Sequence, residues 1–200
     1  MENKKSVLLD VDEVVCFSGF RNAINDFLVT EYEVDDFTNY YMDEEKIPLD
    51  RFNEFIEFIN NRNLYDDADI LPDAVESIEY LSYLYDIYIC SSCINPFDIE
   101  GSGKLFKDKY DFLRNILPFI KPEKFIFTGT KNIFKADIQI DDRMSNLLND
   151  IETRILFPSY HNKEITDNEL KEQGILRAGY DWRTGWKETT KILTKKINNK

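Results

Sequence analysis

"KKSVLLDVDEVVCFS", residues 4–18, places two aspartates at the end of an apolar run. Asp10 and Asp12 follow Val7, Leu8 and Leu9, and Val14 and Val15 resume the run beyond them. SVLL is short, apolar and partly β-branched, as a buried strand should be. Carboxylates are rarely buried unless something pairs with them. Two of them at the end of the first core strand therefore call for a partner, and the rest of the chain has to supply it.

The chain has 200 residues, 42% hydrophobic and 14% aromatic, enough for one domain with a substantial core and a small insertion. Lys and Arg total 25 against 38 Asp and Glu, a net charge of −13. That balance argues against a nucleic-acid partner, whose footprint is a basic face. It also makes an anionic substrate awkward unless local cations or a metal reverse the field. The N-terminal apolar stretch is too short, and too interrupted by aspartates, for a signal peptide. No run approaches a membrane span. A cytoplasmic protein with no membrane partner is expected, and the sequence gives no hold on oligomeric state.

Cys16, Cys90 and Cys93 are an odd set that suits a reducing compartment. Cys90-Ser-Ser-Cys93 has CxxC spacing, but zinc needs about four ligands and the chain offers one His and no second CxxC. Cys90 also ends an apparent strand, where a small buried thiol fits, and that plainer reading is preferred. Gly103-Lys104 is no P-loop: Asp98 stands where the earlier Gly belongs, and Leu105 follows the lysine.

Periodicity predicts alternating elements. Phe20, Ile24, Phe27 and Leu28 repeat at helical spacing, as do Phe52, Phe55, Ile56 and Ile59. Pro72 opens a helix carrying Val75, Ile78 and Leu81. DIYICSS (86–92) reads as a strand, and Tyr110, Leu113, Ile116 and Leu117 as a helix ending at Pro118. FIFTG (125–129), ADIQIDD (136–142) and RILFP (154–158) read as three more strands. Trp182, Trp186, Thr190 and Leu193 mark a last helix, followed by a solvated KKINNK tail. Strands separated by helices imply a doubly wound α/β fold with a mostly parallel sheet. The long interval after the first strand exceeds what one crossover needs. It predicts a small helical cap over 17–70, inserted into a core formed by 1–16 and 71–200.

In such a sheet the carboxyl ends of the strands form the ligand crevice. Asp10 and Asp12 end the first strand, Ser91 and Ser92 the second and Asp141-Asp142 the fourth, while Lys131 follows the third. Asp and Ser are common at strand ends as turn formers; the ordered set is not. Four carboxylates on one rim repel by on the order of several kcal/mol per close pair at an effective dielectric of about 20. A bound cation is expected, and all-oxygen ligands select Mg²⁺.

The order DVDEV, ICSS, Lys131 and IDD resembles the haloacid dehalogenase superfamily of phosphatases, and more narrowly the 5'(3')-deoxyribonucleotidases. Their IDDR block is similar to Ile140-Asp141-Asp142-Arg143, with a lysine ten residues before its first Asp, as Lys131 stands here. ILF (155–157), HN (161–162) and a late tryptophan-bearing helix add to the likeness. The resemblance implies Asp10 as nucleophile, forming an aspartyl-phosphate, and Asp12 as acid and base toward the leaving oxygen and the attacking water. It implies Mg²⁺ held by Asp10, the backbone carbonyl of Asp12 and Asp141, with Asp142 nearby. Lys131, Ser91 and Ser92 would hold the phosphoryl group, and Lys109 matches another phosphate-side lysine or is a solvated helix lysine. The substrate implied is a nucleoside monophosphate, with 2'-deoxy forms preferred because the aromatic-rich cap can stack a base and face the sugar with apolar surface.

Departures are visible too. Glu13 stands where the family has Gly, Ser91 replaces a commoner Thr, and Cys16, Phe17 and Ser18 do not reproduce the aromatic and acidic residues after the first motif. These affect the substrate pocket rather than the chemistry. A phosphatase of the same superfamily acting on a sugar phosphate or another small phosphoester would keep every motif. A non-catalytic phosphate-binding protein would need a broken set. His161 follows the last strand rather than a motif and reads as a structural hydrogen-bonding residue.

Overall fold

The computed structural model describes residues 4–94, 99, 101–148 and 150–198. In chain order its elements are β1 (Ser6–Leu9), β2 (Cys16–Phe17), α1 (Phe20–Leu28), α2 (Met42–Lys46), α3 (Phe52–Asn60), β3 (Asp69–Ile70), α4 (Ala74–Leu84) and β4 (Asp86–Ser91). There follow α5 (Ser102–Ile116), β5 (Phe125–Phe127), β6 (Ile138–Asp141), β7 (Thr153–Leu156), α6 (Asp167–Glu172), β8 (Ile175–Arg177) and α7 (Gly185–Asn198).

Six strands form one sheet in the order β5-β4-β1-β6-β7-β8, and every neighbouring pair is parallel. This is the doubly wound α/β fold. Both faces are covered, which is why the strands read as near-continuous apolar runs. Val7, Leu9, Ile87, Ile89, Ile138 and Ile140 enter the main core, while Leu8 and Cys90 pack on the other face with Ile151. From β1 the chain moves to β4 and β5 on one side, then returns to β6 on the other. Leu9 is paired with Ile89 and with Ile140, so Asp10, Ser91 and Asp141 finish together at the edge where strand order reverses.

Three helices, α1 to α3, lie between β2 and β3, whose antiparallel pairing sets Cys16 opposite Ile70 and Phe17 opposite Asp69. Aromatics bind these helices together: Phe55 sits edge-on to Phe20 and Phe27 at 5.7 and 5.3 Å. The periodicity placed α1, α3 and α5 well. Helix α4 begins at Ala74, after Pro72, and α7 at Gly185, so Trp182 precedes its helix. The KKINNK stretch is helical through Asn198, and its last two residues lie outside the described residues, as does Asp98. Strand β8, helix α6 and the β2–β3 ribbon were not anticipated. Among the described residues no helix is long and apolar enough to cross a membrane.

Candidate active site

Strand pairing continues one residue past β1, because the Asp10 N–H donates to the Ile140 carbonyl at 3.1 Å. Beyond it the chain folds back tightly. The N–H groups of Val14, Val15 and Cys16 all point at the Val11 carbonyl (3.2, 2.7 and 3.2 Å), and Val11, Val14 and Val15 are fully buried. Glu13 occupies a left-handed conformation, φ 59°. Helix α7 braces this turn from behind: buried Trp186 donates from Nε1 to the Val14 carbonyl at 2.7 Å. Asp10 and Asp12 are thus held on a rigid loop.

Two groups of contacts meet here. In the first, ligand oxygens of Asp10, Asp141 and Asp142 lie within 4.8 Å of one another. Lys131 Nζ bridges Asp10 and Asp141 at 2.7 and 2.6 Å. Asn146 Nδ2 and the Arg143 N–H both donate to Asp141 Oδ1 at 3.0 Å. His161 Nε2 lies 2.6 Å from Asp142 Oδ2, and Asn162 Nδ2 donates to the Asp142 carbonyl at 2.8 Å. In the second group, Lys109 on α5 donates to Asp12 Oδ2 (2.6 Å), Ser91 Oγ (2.9 Å) and the Ser92 carbonyl (2.6 Å). Tyr65 donates its hydroxyl to the other Asp12 oxygen at 2.8 Å.

Negative charge exceeds positive in this space. Burial, and then Asp10, push the Asp141 carboxyl up to about 8, with Lys131 acting against them. Burial also raises Asp142, with Asp10 adding to it and His161 opposing. Burial, Asp142, Asp12 and Asp10 together hold Glu13 well above the usual carboxylate range. The lysines respond in the opposite sense. Burial alone would lower Lys131, but Asp10 and Asp141 outweigh it and the net shift is upward. Lys109 is raised for the same reason, chiefly by Asp12. Both ammoniums stay charged, and the carboxylate cluster has the character of a cation site.

The structure therefore gathers Asp10, Asp12, Ser91, Lys109, Lys131, Asp141 and Asp142 at one edge. Lys109 is 1% exposed, which removes the solvated-helix reading. Ser92 is exposed and is tied in through its backbone carbonyl. The Asp12 carboxylate faces Lys109 and Tyr65 rather than the three-carboxylate cluster. Cys90 and Cys93 are free, buried thiols, both pushed up by burial to about 11, so neither is a thiolate at neutral pH. Of the cap aromatics, Phe17, Phe37 and Phe55 are core. Phe20, Tyr40 and Tyr41 line a cavity of about 360 Å³ that also reaches Asp12, Glu13 and Lys109. Sequence reasoning missed Tyr65 and Asn146. Asn146, three residues beyond the IDDR block, could have been found as a polar residue in the following turn; Tyr65 carried no signal.

The architecture is that of the haloacid dehalogenase-like hydrolases. A crystal structure of a hydrolase of that kind from Xanthomonas campestris superposes with TM-score 0.55 over 100% of both chains at 11% identity. A second, provisionally named as such, from Burkholderia xenovorans LB400, gives 0.54 over 98% and 99% at 11% identity. At that identity the likeness is one of fold. The family model described as "5' nucleotidase, deoxy (Pyrimidine), cytosolic type C protein" matches residues 4–174, and the chain belongs to this family. The Bacillus subtilis (strain 168) 5'(3')-deoxyribonucleotidase is 25% identical over 80% of this chain and 88% of its own. A Staphylococcus aureus (strain Mu50) protein provisionally named as the same enzyme is 35% identical over 53% of this chain. The match spans about half, 56%, of that staphylococcal relative's length.

Proposed function

We propose that the protein is a Mg²⁺-dependent phosphatase that hydrolyses nucleoside monophosphates, 2'-deoxy forms ahead of ribo forms, through an aspartyl-phosphate on Asp10. The observation that carries this reading is a three-carboxylate cluster set beside two charged lysines, Lys109 buried and Lys131 half-buried, at one sheet edge. The cluster fits the ion: three carboxylates whose oxygens lie within 4.8 Å of one another are an all-oxygen donor set of the kind that Mg²⁺ takes. Bound by Asp10, Asp141, Asp142 and the Asp12 carbonyl, Mg²⁺ would supply the positive charge that lets a carboxylate approach a phosphate dianion.

The chain's own residues do the rest. Asp10 attacks phosphorus in line. Lys131, Lys109, Ser91 and Ser92 hold phosphoryl oxygens and stabilise charge that develops on them. Asp12 protonates the departing nucleoside oxygen, then takes a proton from the water that cleaves the intermediate. Residues 17–70 act as the cap that contributes Phe20, Tyr40 and Tyr41 to the cavity, over a core of 1–16 and 71–200. The family membership and this aromatic wall support a nucleotide substrate, and the reduced thiols suit a cytoplasmic enzyme.

The test is phosphate release from dUMP, dTMP, UMP, AMP and several sugar phosphates, with Mg²⁺ and with EDTA. A nucleotide should have the highest kcat/KM, and EDTA should stop release. A sugar phosphate ahead by about tenfold or more would reject the nucleotidase reading. No Mg²⁺-dependent release from any substrate would reject the enzyme.

A further inference from the structure

Asp12 is held from two sides by residues of different parts of the fold. Lys109, from α5, contacts Oδ2 at 2.6 Å. Tyr65, from the segment between α3 and β3, contacts Oδ1 at 2.8 Å. We infer that Tyr65 is a positioning residue for the acid/base carboxylate of Asp12, so that the inserted segment completes the proton-transfer geometry of the core; the inference rests on the phosphatase reading above.

The tyrosine is built to stay where it is. It is 6% exposed, its ring packs on Phe112 at 5.4 Å, and the Lys109 ammonium lies 5.5 Å from the ring centroid. Its own N–H donates to Asn63 Oδ1 at 3.0 Å, while Asn63 Nδ2 donates to Asp66 Oδ1 at 2.7 Å, closing a local side-chain turn. The neighbouring Leu64 carbonyl accepts the Gly19 N–H at 2.6 Å. A Cβ at Gly19 would come within 2.9 Å of that carbonyl oxygen, so the turn can close on the segment just after the first motif only because residue 19 has no side chain.

The direction of the hydrogen bond gives Tyr65 its chemistry. The Tyr65 hydroxyl donates to Oδ1 and the Lys109 ammonium to Oδ2, so the two donors together fix the plane and direction of the carboxylate. Oδ2 is the oxygen on the Lys109 side, beside Ser91 and Ser92, where the phosphoryl group is proposed to bind. In the first step the Asp10 oxygen–phosphorus bond forms, the phosphorus–nucleoside oxygen bond breaks, and a proton passes from the Asp12 carboxyl to that departing oxygen. In the second step water attacks phosphorus, its proton returns to Asp12, and the Asp10–phosphorus bond breaks. Without the Tyr65 hydroxyl the carboxyl is held from the Lys109 side alone and is free to turn away from the departing oxygen.

A departing nucleoside alkoxide needs that proton, whereas p-nitrophenolate leaves as a stable anion. Tyr65→Phe should therefore lower kcat/KM for a deoxynucleoside monophosphate by about tenfold or more, while changing kcat/KM for p-nitrophenyl phosphate less than about threefold. Equal losses on both substrates, or no loss on either, overturn the inference, because a merely structural tyrosine moves the two together. Should the variant fail to fold by circular dichroism, Asn63→Ala, which removes the acceptor for the Tyr65 N–H, is judged by the same ratio. Wild-type protein that turns over neither phosphoester overturns the phosphatase reading itself, and is seen before any variant is made.

Discussion

The Lys131 ammonium lies 2.6 Å from the buried carboxylate of Asp141, yet Asp141 is still pushed up to about 8. One lysine is too little charge for Asp10, Asp141 and Asp142 together. The folded state consequently binds more protons than the unfolded chain between about the usual carboxylate value of 3.8 and 8. Stability of the metal-free protein should fall as pH rises through that window. Asp142 and Glu13, both raised, add to the same slope. Lys131 and Lys109 are raised from 10.5 and remain charged throughout it, so they do not cancel it. Thermal unfolding in EDTA should show a lower Tm at pH 8 than at pH 5.5. Mg²⁺ should restore it at pH 8, by about 2.7 kcal/mol at a hundredfold excess over Kd. A Tm at pH 8 indifferent to Mg²⁺ would count against the cation site.

The same excess of charge separates function from stability at Asp10. Asp10→Asn should abolish phosphatase turnover, by about a thousandfold or more, because an amide is no nucleophile. In EDTA at pH 8 the variant should nonetheless be more stable than wild type, by on the order of 1 kcal/mol, since one of the mutually repelling carboxylates is gone. Lys131 keeps Asp141 as its partner. Retained activity with an unchanged circular-dichroism spectrum would remove Asp10 from its role.

How legible the sequence was depended on where each residue's partner lies. Strands β1, β4 and β6 are buried on both faces, so they read as apolar runs, and the polar residues at their ends stood out. Strand β8 is three residues long, and β2 and β3 two each, too short for any period to show. Helix α6 is different: Thr166 and Glu169 form a reciprocal cap at its start, a pattern the sequence displays and which could have been used. Lys109 could not be told from a solvated helix lysine because its partners are 97, 18 and 17 residues away. Tyr65, 53 residues from Asp12, is one aromatic among many in the insertion, and only the closed turn at Gly19 shows which one reaches the core.

Trp186 and Trp182 should respond differently to the same substitution. Trp186 is fully buried and supplies the 2.7 Å donor to the Val14 carbonyl. Trp186→Phe leaves that carbonyl without its donor and opens space beside the motif turn, at a cost of about 2–4 kcal/mol. Trp182 keeps its indole N–H without a hydrogen-bond partner among the described residues, so Trp182→Phe loses no such bond and should cost less than about 1.5 kcal/mol. Urea unfolding of the two variants measures the contrast. Equal losses would mean that the Trp186 hydrogen bond does not support the turn.

Glu13 combines a backbone and an electrostatic penalty at the position where the resembling family carries Gly. Its φ of 59° is one of three positive values at non-glycine residues among those described, with Val29 and Asp73. A left-handed conformation costs an L-residue roughly 1–2 kcal/mol, of which Gly escapes most while adding about 0.5–1 kcal/mol of unfolded-state entropy. The carboxylate adds to the cost, because Asp142, Asp12 and Asp10 all oppose its ionisation after burial has done so. Glu13→Gly should therefore stabilise the metal-free protein at pH 8 by on the order of 1 kcal/mol, and by less at pH 5, close to the ordinary value of 4.5, where the unfolded chain gains little from ionising the group. Glu13→Gln removes the charge and keeps the strain, so it should recover only the pH-dependent part. The two variants, melted at both pH values, divide the penalty. If neither is more stable than wild type at pH 8, Glu13 is neither strained nor repelled, and the carboxylate crowding argued for this edge is wrong at that residue.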